Sequence, residues 1–90
     1  MGNYWGTPQT VAFNASAQSA VLHATLSQLV RVVATEDCWL KMGTNPTATV
    51  GGTSHFLPAY CVDVIKVRAT HMIAAIKDTT AGNLCITPLS

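Results

Sequence analysis

Through much of this chain apolar and polar positions exchange every second residue, the period of a strand with one buried face. The stretch that organises the rest runs from Leu29 to Met42, two strands joined by a polar corner at Thr35-Glu36-Asp37. Before the corner, Val30, Val32 and Ala34 share one face, while Leu29, Arg31 and Val33 share the other. Arg31 has to reach water, so Val30 and Val32 are assigned to the core. After the corner, Cys38, Leu40 and Met42 alternate with Trp39 and Lys41. Trp39 is thereby placed on the outer face or a rim, either as amphipathic cover for the sheet or as a contact residue.

The same reading extends along the chain. Gln9 to Ala17 sets Val11, Phe13 and Ala15 against Thr10, Ala12 and Asn14, a half-buried strand. Gln18 to Thr25 reads as a further strand through Val21 and His23, with a short helix as the alternative because Ala, Leu and Gln tolerate both. His23 is expected at the surface or a rim. Gly43 to Thr53, with its Gly51-Gly52 pair, is a long loop or two successive turns. Ser54 to Leu57 is a short strand stopped by Pro58. Tyr60 to Arg68 alternates, but both faces mix polar and apolar residues, so the pattern leaves its orientation open. Thr70 to Lys77 puts Met72, Ala74 and Ile76 on one face, and Asp78 to Asn83 is a turn. Leu84, Ile86 and Pro88 lie on a last strand whose proline belongs at an edge or end.

Short strands at intervals of roughly 8–12 residues, about eight in all, mark an all-β fold. The expectation is a small single domain over residues 9–90, a β-sandwich or jelly-roll-like barrel. Residues 1–8 carry Gly2, Gly6 and Pro8 around Tyr4 and Trp5 and read as an extended N-terminal arm. Such an arm is either a frayed end or a tether that packs its two aromatics on a neighbouring subunit.

Composition changes this picture in one respect. The 90 residues are 49% hydrophobic and only 10% charged, against about 25% charged in an ordinary globular domain. A small monomer normally needs more charge than this to stay free of apolar patches. Much of the surface is therefore expected to be covered by other protein. The net charge of +1 comes from scattered residues of both signs. Without a basic stripe, nucleic acid and anionic membranes are not expected partners. The sequence has neither the h-region of a signal peptide nor an apolar run long enough to span a membrane, and a cytoplasmic site of synthesis is expected.

Candidate chemistry is sparse. Cys38, Cys61 and Cys85 form no close pair and are expected to be free, mostly buried thiols. Together with His23, His55 and His71 they include zinc-ligand types, but none shows the short spacing of a structural site, so no metal or cofactor is expected. Cys61 and His55 are the nearest Cys–His pair in sequence, with no orienting group or oxyanion site marked beside them. Asp63 and Asp78 form no recognisable carboxylate pair. The glycine-rich loop lacks the Gly-Lys-Ser/Thr of a phosphate loop. No enzyme is expected.

From Val30 to Leu89 the chain resembles a family of small virion structural proteins of tailed bacteriophages. The likeness rests on Ala34-Thr35-Glu36-Asp37-Cys38 between strands, Gly43-Thr44-Asn45-Pro46-Thr47-Ala48, Leu57-Pro58-Ala59, and the closing Asp78-Thr79-Thr80-Ala81-Gly82-Asn83-Leu84. These are turn motifs, and the resemblance they carry covers about two-thirds of the chain. A glycine-containing turn expected ahead of the penultimate strand is replaced here by Lys66-Val67-Arg68-Ala69-Thr70. The resemblance implies a non-enzymatic β-sandwich built into a phage particle, foremost a capsid decoration or cement protein bridging major capsid protein subunits. Its implied location is the capsid surface of the virion, assembled in the host cytoplasm, and its implied state a homo-oligomer, trimer or dimer. A tail, neck or head-fibre component and a host-facing carbohydrate-binding module are the alternatives. Tyr4, Trp5, Pro8 and Trp39 are the expected interface residues.

Overall fold

A computed structural model describes residues 8–89, and within them the chain forms eight strands and no helix. In order they are β1 (Gln9–Phe13), β2 (Ala17–Gln18), β3 (Gln28–Ala34), β4 (Cys38–Gly43), β5 (His55–Leu57), β6 (Asp63–Val67), β7 (Met72–Lys77) and β8 (Gly82–Pro88). They make two four-stranded antiparallel sheets, β1-β8-β3-β6 and β2-β7-β4-β5. The chain crosses from one sheet to the other at the polar corner, so the Leu29–Met42 stretch supplies an inner strand to each.

Alternation fixes what each sheet buries. Val30, Val32 and Ala34 of β3, Val11 and Phe13 of β1, and Leu84 and Ile86 of β8 point inward from the first sheet. Cys38 and Leu40 of β4, Leu57 of β5, and Ile73 and Ala75 of β7 meet them from the second. Each large aliphatic side chain so buried contributes about 1.5–3 kcal/mol relative to exposure. Arg31 and Val33 are half-buried on the outer face, as the need of Arg31 for water requires. Met42, assigned by alternation to the core side of β4, is 43% exposed because it lies where the sheets part.

Three readings are refined or corrected. The stretch Gln18 to Thr25 is not a strand beyond Gln18. Its backbone stays beside the start of β7 without a continuous ladder, the Ser19 and Leu22 amides donating to the Ile73 and His71 carbonyls at 2.9 and 3.3 Å and the Thr70 amide to the His23 carbonyl at 2.8 Å, while the His23 Nδ1 accepts from the Thr25 and Leu26 amides at 3.2 and 3.0 Å. Buried Ser19 accepts the Ile73 amide through its Oγ at 3.0 Å. Second, the strand within Tyr60 to Arg68 is oriented by Val67, which is buried, and by Ile65, which packs on the core; Val62 and Val64 face outward. Third, of the three free cysteines only Cys38 is buried; Cys85 is half-buried and Cys61 is exposed. Pro88 ends β8 opposite Val30, beyond the reach of β1, so its missing amide breaks no ladder there.

Candidate interaction surface

The turn motifs prove to be structural, and they converge. The Thr35 amide donates to the Asn83 carbonyl, and the Asn83 amide donates to Thr35 Oγ1, both at 2.9 Å. Asp37 Oδ1 accepts the Ala59 amide at 2.7 Å, and the Tyr60 amide reaches the Ala34 carbonyl at 2.8 Å. Gly82 sits so close to this corner that a Cβ there would lie 2.8 Å from Thr35 Oγ1 and 2.9 Å from Glu36 Cγ. Thus the Ala-Thr-x-Asp-Cys corner, Leu57-Pro58-Ala59 and the Asp78–Asn83 turn clamp one end of the sandwich together. In Gly43–Ala48, Pro46 and Ala48 are buried and the Ala48 amide donates to Ser16 Oγ at 2.9 Å.

Trp39 stands on the outer face of β4, opposite Phe56 of β5 and Ile76 of β7. Its ring meets that of Phe56 at a centroid distance of 5.0 Å and a tilt of 57°, a favourable aromatic pair. Its Nε1 donates to Asp78 Oδ1 at 3.0 Å. The indole is therefore half-buried and held in one orientation, forming an apolar row Phe56-Trp39-Ile76 across three strands. Among the other expected interface residues, Pro8 is exposed just ahead of β1, while Tyr4 and Trp5 lie outside the described residues. Trp39 lies on the second sheet, whereas Pro8 precedes a strand of the first.

Sequence reasoning missed a second apolar surface. Leu29 of β3 and Val64 of β6 project from the outer face of the first sheet, with Val62 just ahead of the strand; they are 48%, 51% and 53% exposed. The one available signal was that Val62 and Val64 share a period-2 face, but a face completed by Lys66 and Arg68 reads equally well as solvated. Strand β6 is also an edge, pairing with β3 alone.

Beside this edge the sandwich is open. A cleft of about 440 Å³ lies between β4, β5 and β6, lined by Leu40, Met42 and Ile65 below and by Lys41, Thr53, His55 and Asp63 at its rim. Within the rim Lys41 Nζ donates to Thr53 Oγ1 at 2.8 Å. His55 Nε2 and Asp63 Oδ2 approach to 3.6 Å across the gap between the two sheets, an ion pair when the imidazole is protonated. Both side chains are well exposed, so this contact adds little to stability.

Among the described residues, no three His, Cys, Asp or Glu side chains gather into a metal-binding group. His55 faces Asp63 rather than a thiol. The Cys38 thiol is pushed from an ordinary 9.0 up to about 11 by burial, with the Asp37 charge adding to it, and so stays protonated and unreactive at neutral pH. No family model, curated protein or solved structure matches the chain.

Proposed function

We propose that this protein is a non-enzymatic structural component of a tailed-phage particle, a decoration or cement protein that seats on the major capsid protein. The observation that carries the reading is the exposure of apolar side chains on the outer faces of both sheets, Phe56 beside Trp39 on one and Leu29, Val62 and Val64 on the other. In a lone small domain those faces would carry more charge than the Arg31, Lys66 and Arg68 of one and the Lys41 and Asp78 of the other. A module with two apolar faces suits bridging between neighbouring shell subunits, where many weak contacts add up through multivalency. The resemblance of the turn motifs to those of phage virion proteins points the same way.

The test is to mix purified protein with empty shells of its phage, pellet them, and count bound copies. Saturable, stoichiometric binding is expected, with Phe56→Glu and Val64→Glu each tested for loss of it. Absence of binding to shells would turn the assignment towards a tail, neck or head-fibre component, to be sought in tail fractions. Glycan binding abolished by Trp39→Ala would replace it with the carbohydrate-binding reading; the half-buried, hydrogen-bonded indole does not favour that outcome.

A further inference from the structure

Strand β6 is an edge, and the bonding of its neighbour β3 reveals which of its backbone groups are free. Successive residues of a strand direct their N–H and C=O groups to opposite sides. On β3 the Leu29 carbonyl accepts from the Leu89 amide at 2.8 Å, and just past its end the Thr35 amide donates to the Asn83 carbonyl at 2.9 Å. Leu29, Arg31, Val33 and Thr35 therefore bond towards β8, and the residues between them bond towards β6. The Tyr60 amide, which donates to the Ala34 carbonyl, follows the same rule. In register, Gln28, Val30 and Val32 face Val67, Ile65 and Asp63, so these three use their backbone groups on β3. Val64 and Lys66 are left with amide and carbonyl directed out of the sheet. Both residues are exposed and have no backbone partner among the described residues.

The other edges are crossed or short. The open side of β1 is spanned by a bond from the Ala20 amide to Gln9 Oε1 at 2.9 Å and one from the Lys77 amide to the Asn14 carbonyl at 3.3 Å. Strand β2 has two residues and β5 three. The five residues of β6 are the bare edge to which a strand can be added.

Charge narrows what that strand is. Asp63 opens β6, while Lys66 lies near its far end and Arg68 just beyond it. A copy of β6 laid antiparallel brings the acidic end of each strand beside the basic end of the other. A two-fold axis normal to the sheet keeps outer face with outer face, so the possible registers differ only in which residue lies on the axis. An axis at Asp63 or Lys66 sets a charge directly against its like. An axis at Val64 or Ile65 does not, and at either place the free groups of Val64 and Lys66 meet free groups of the second strand.

We propose that β6 pairs antiparallel with β6 of a second copy of this chain, about an axis at Val64 or Ile65. The first sheets of the two copies, four strands each, become one continuous sheet. Leu29, Val62 and Val64 of both copies then lie on one outer face as a single apolar strip. The strip itself stays uncovered, so this pairing is independent of binding to shells and is tested without them.

The experiment is sedimentation equilibrium of the full chain over a range of concentrations, with amide hydrogen exchange read residue by residue. Wild type is expected to reach a dimer. The Val64 and Lys66 amides should exchange more slowly as concentration rises, while those of Asp63, Ile65 and Val67 are protected throughout. Val64→Pro removes an outward amide and no bond to β3, so the fold is retained, which a thermal melt verifies. It takes two bonds from each dimer and is expected to weaken dimerisation about tenfold. Should that variant unfold, the exchange measurement on wild type decides alone. A wild type that stays monomeric overturns the proposal. So does a dimer in which the Val64 and Lys66 amides exchange as fast as in the monomer, or a folded Val64→Pro that dimerises like wild type.

Discussion

The clamped end of the sandwich and the open β5/β6 edge are held in very different ways. At the clamped end the corner residues Ala34, Thr35 and Asp37 bond to two other segments, Ala59-Tyr60 and the Asp78–Asn83 turn, at 2.7 to 3.2 Å, mostly through backbone amides, and Gly82 leaves no room between them. At the open edge a 3.6 Å contact between two exposed side chains spans the gap, above an apolar cleft. Each hydrogen bond of the clamp contributes about 0.5–1.5 kcal/mol and several act on one corner, whereas a single exposed ion pair is nearly neutral. The difference separates two jobs. One end specifies the fold, and the other leaves apolar surface available for contact.

Breaking the clamp should have the largest effect. Gly82→Val places a branched side chain against Thr35 and Glu36 and is expected to destabilise the domain by about 2–3 kcal/mol, measured by urea titration. Next comes the thiol at the same corner. Because the Cys38 pKa is raised from 9.0 to about 11 on folding, the unfolded chain loses this proton first as pH rises. Stability is therefore full below pH 9 and declines between pH 9 and 11, by an amount on the order of 2 kcal/mol. Replacing Cys38 by Ala should remove that slope; an unchanged slope would show that other groups set it.

Smaller changes sharpen the same contrast. Asp37→Ala removes the acceptor of the exposed Ala59 amide, which water can replace, and should cost about 0.5–1.5 kcal/mol, read from the same titration. His55→Ala, at the open edge, is expected to change stability by less than about 0.5 kcal/mol, and a larger loss would mean the edge is held more firmly than its geometry indicates.

Much of the sandwich could be read before any coordinates. Val30, Val32 and Arg31 orient β3 because a charge cannot be buried unpaired, and the Asp78–Asn83 turn announces itself in residue type. The segment after Gln18 deceived the pattern, since alternation of small and polar residues there reflects a loop pinned by Ser19 and His23. Strand partners were not legible at all. Nothing local says that β1 pairs with β8, or that β6 lies beside β3, because such contacts depend on how the whole chain closes. The candidate surface was half legible for that reason: Trp39 was placed on an outer face from its neighbours alone. The cleft joins residues from three strands, and no sequence window contains them together.

Strand β8 sits between β1 and β3 in the first sheet, yet it is the last of the eight to be synthesised. Until Gly82–Pro88 has left the ribosome, β1 has no partner in its own sheet, and Val11, Phe13, Val30 and Val32 have only part of their cover. Long-range pairing of this kind is slow to form, and a nascent chain of this protein carries exposed strands for most of its translation. A stalled or truncated product ending before Gly82 would therefore aggregate, not wait in a half-built fold.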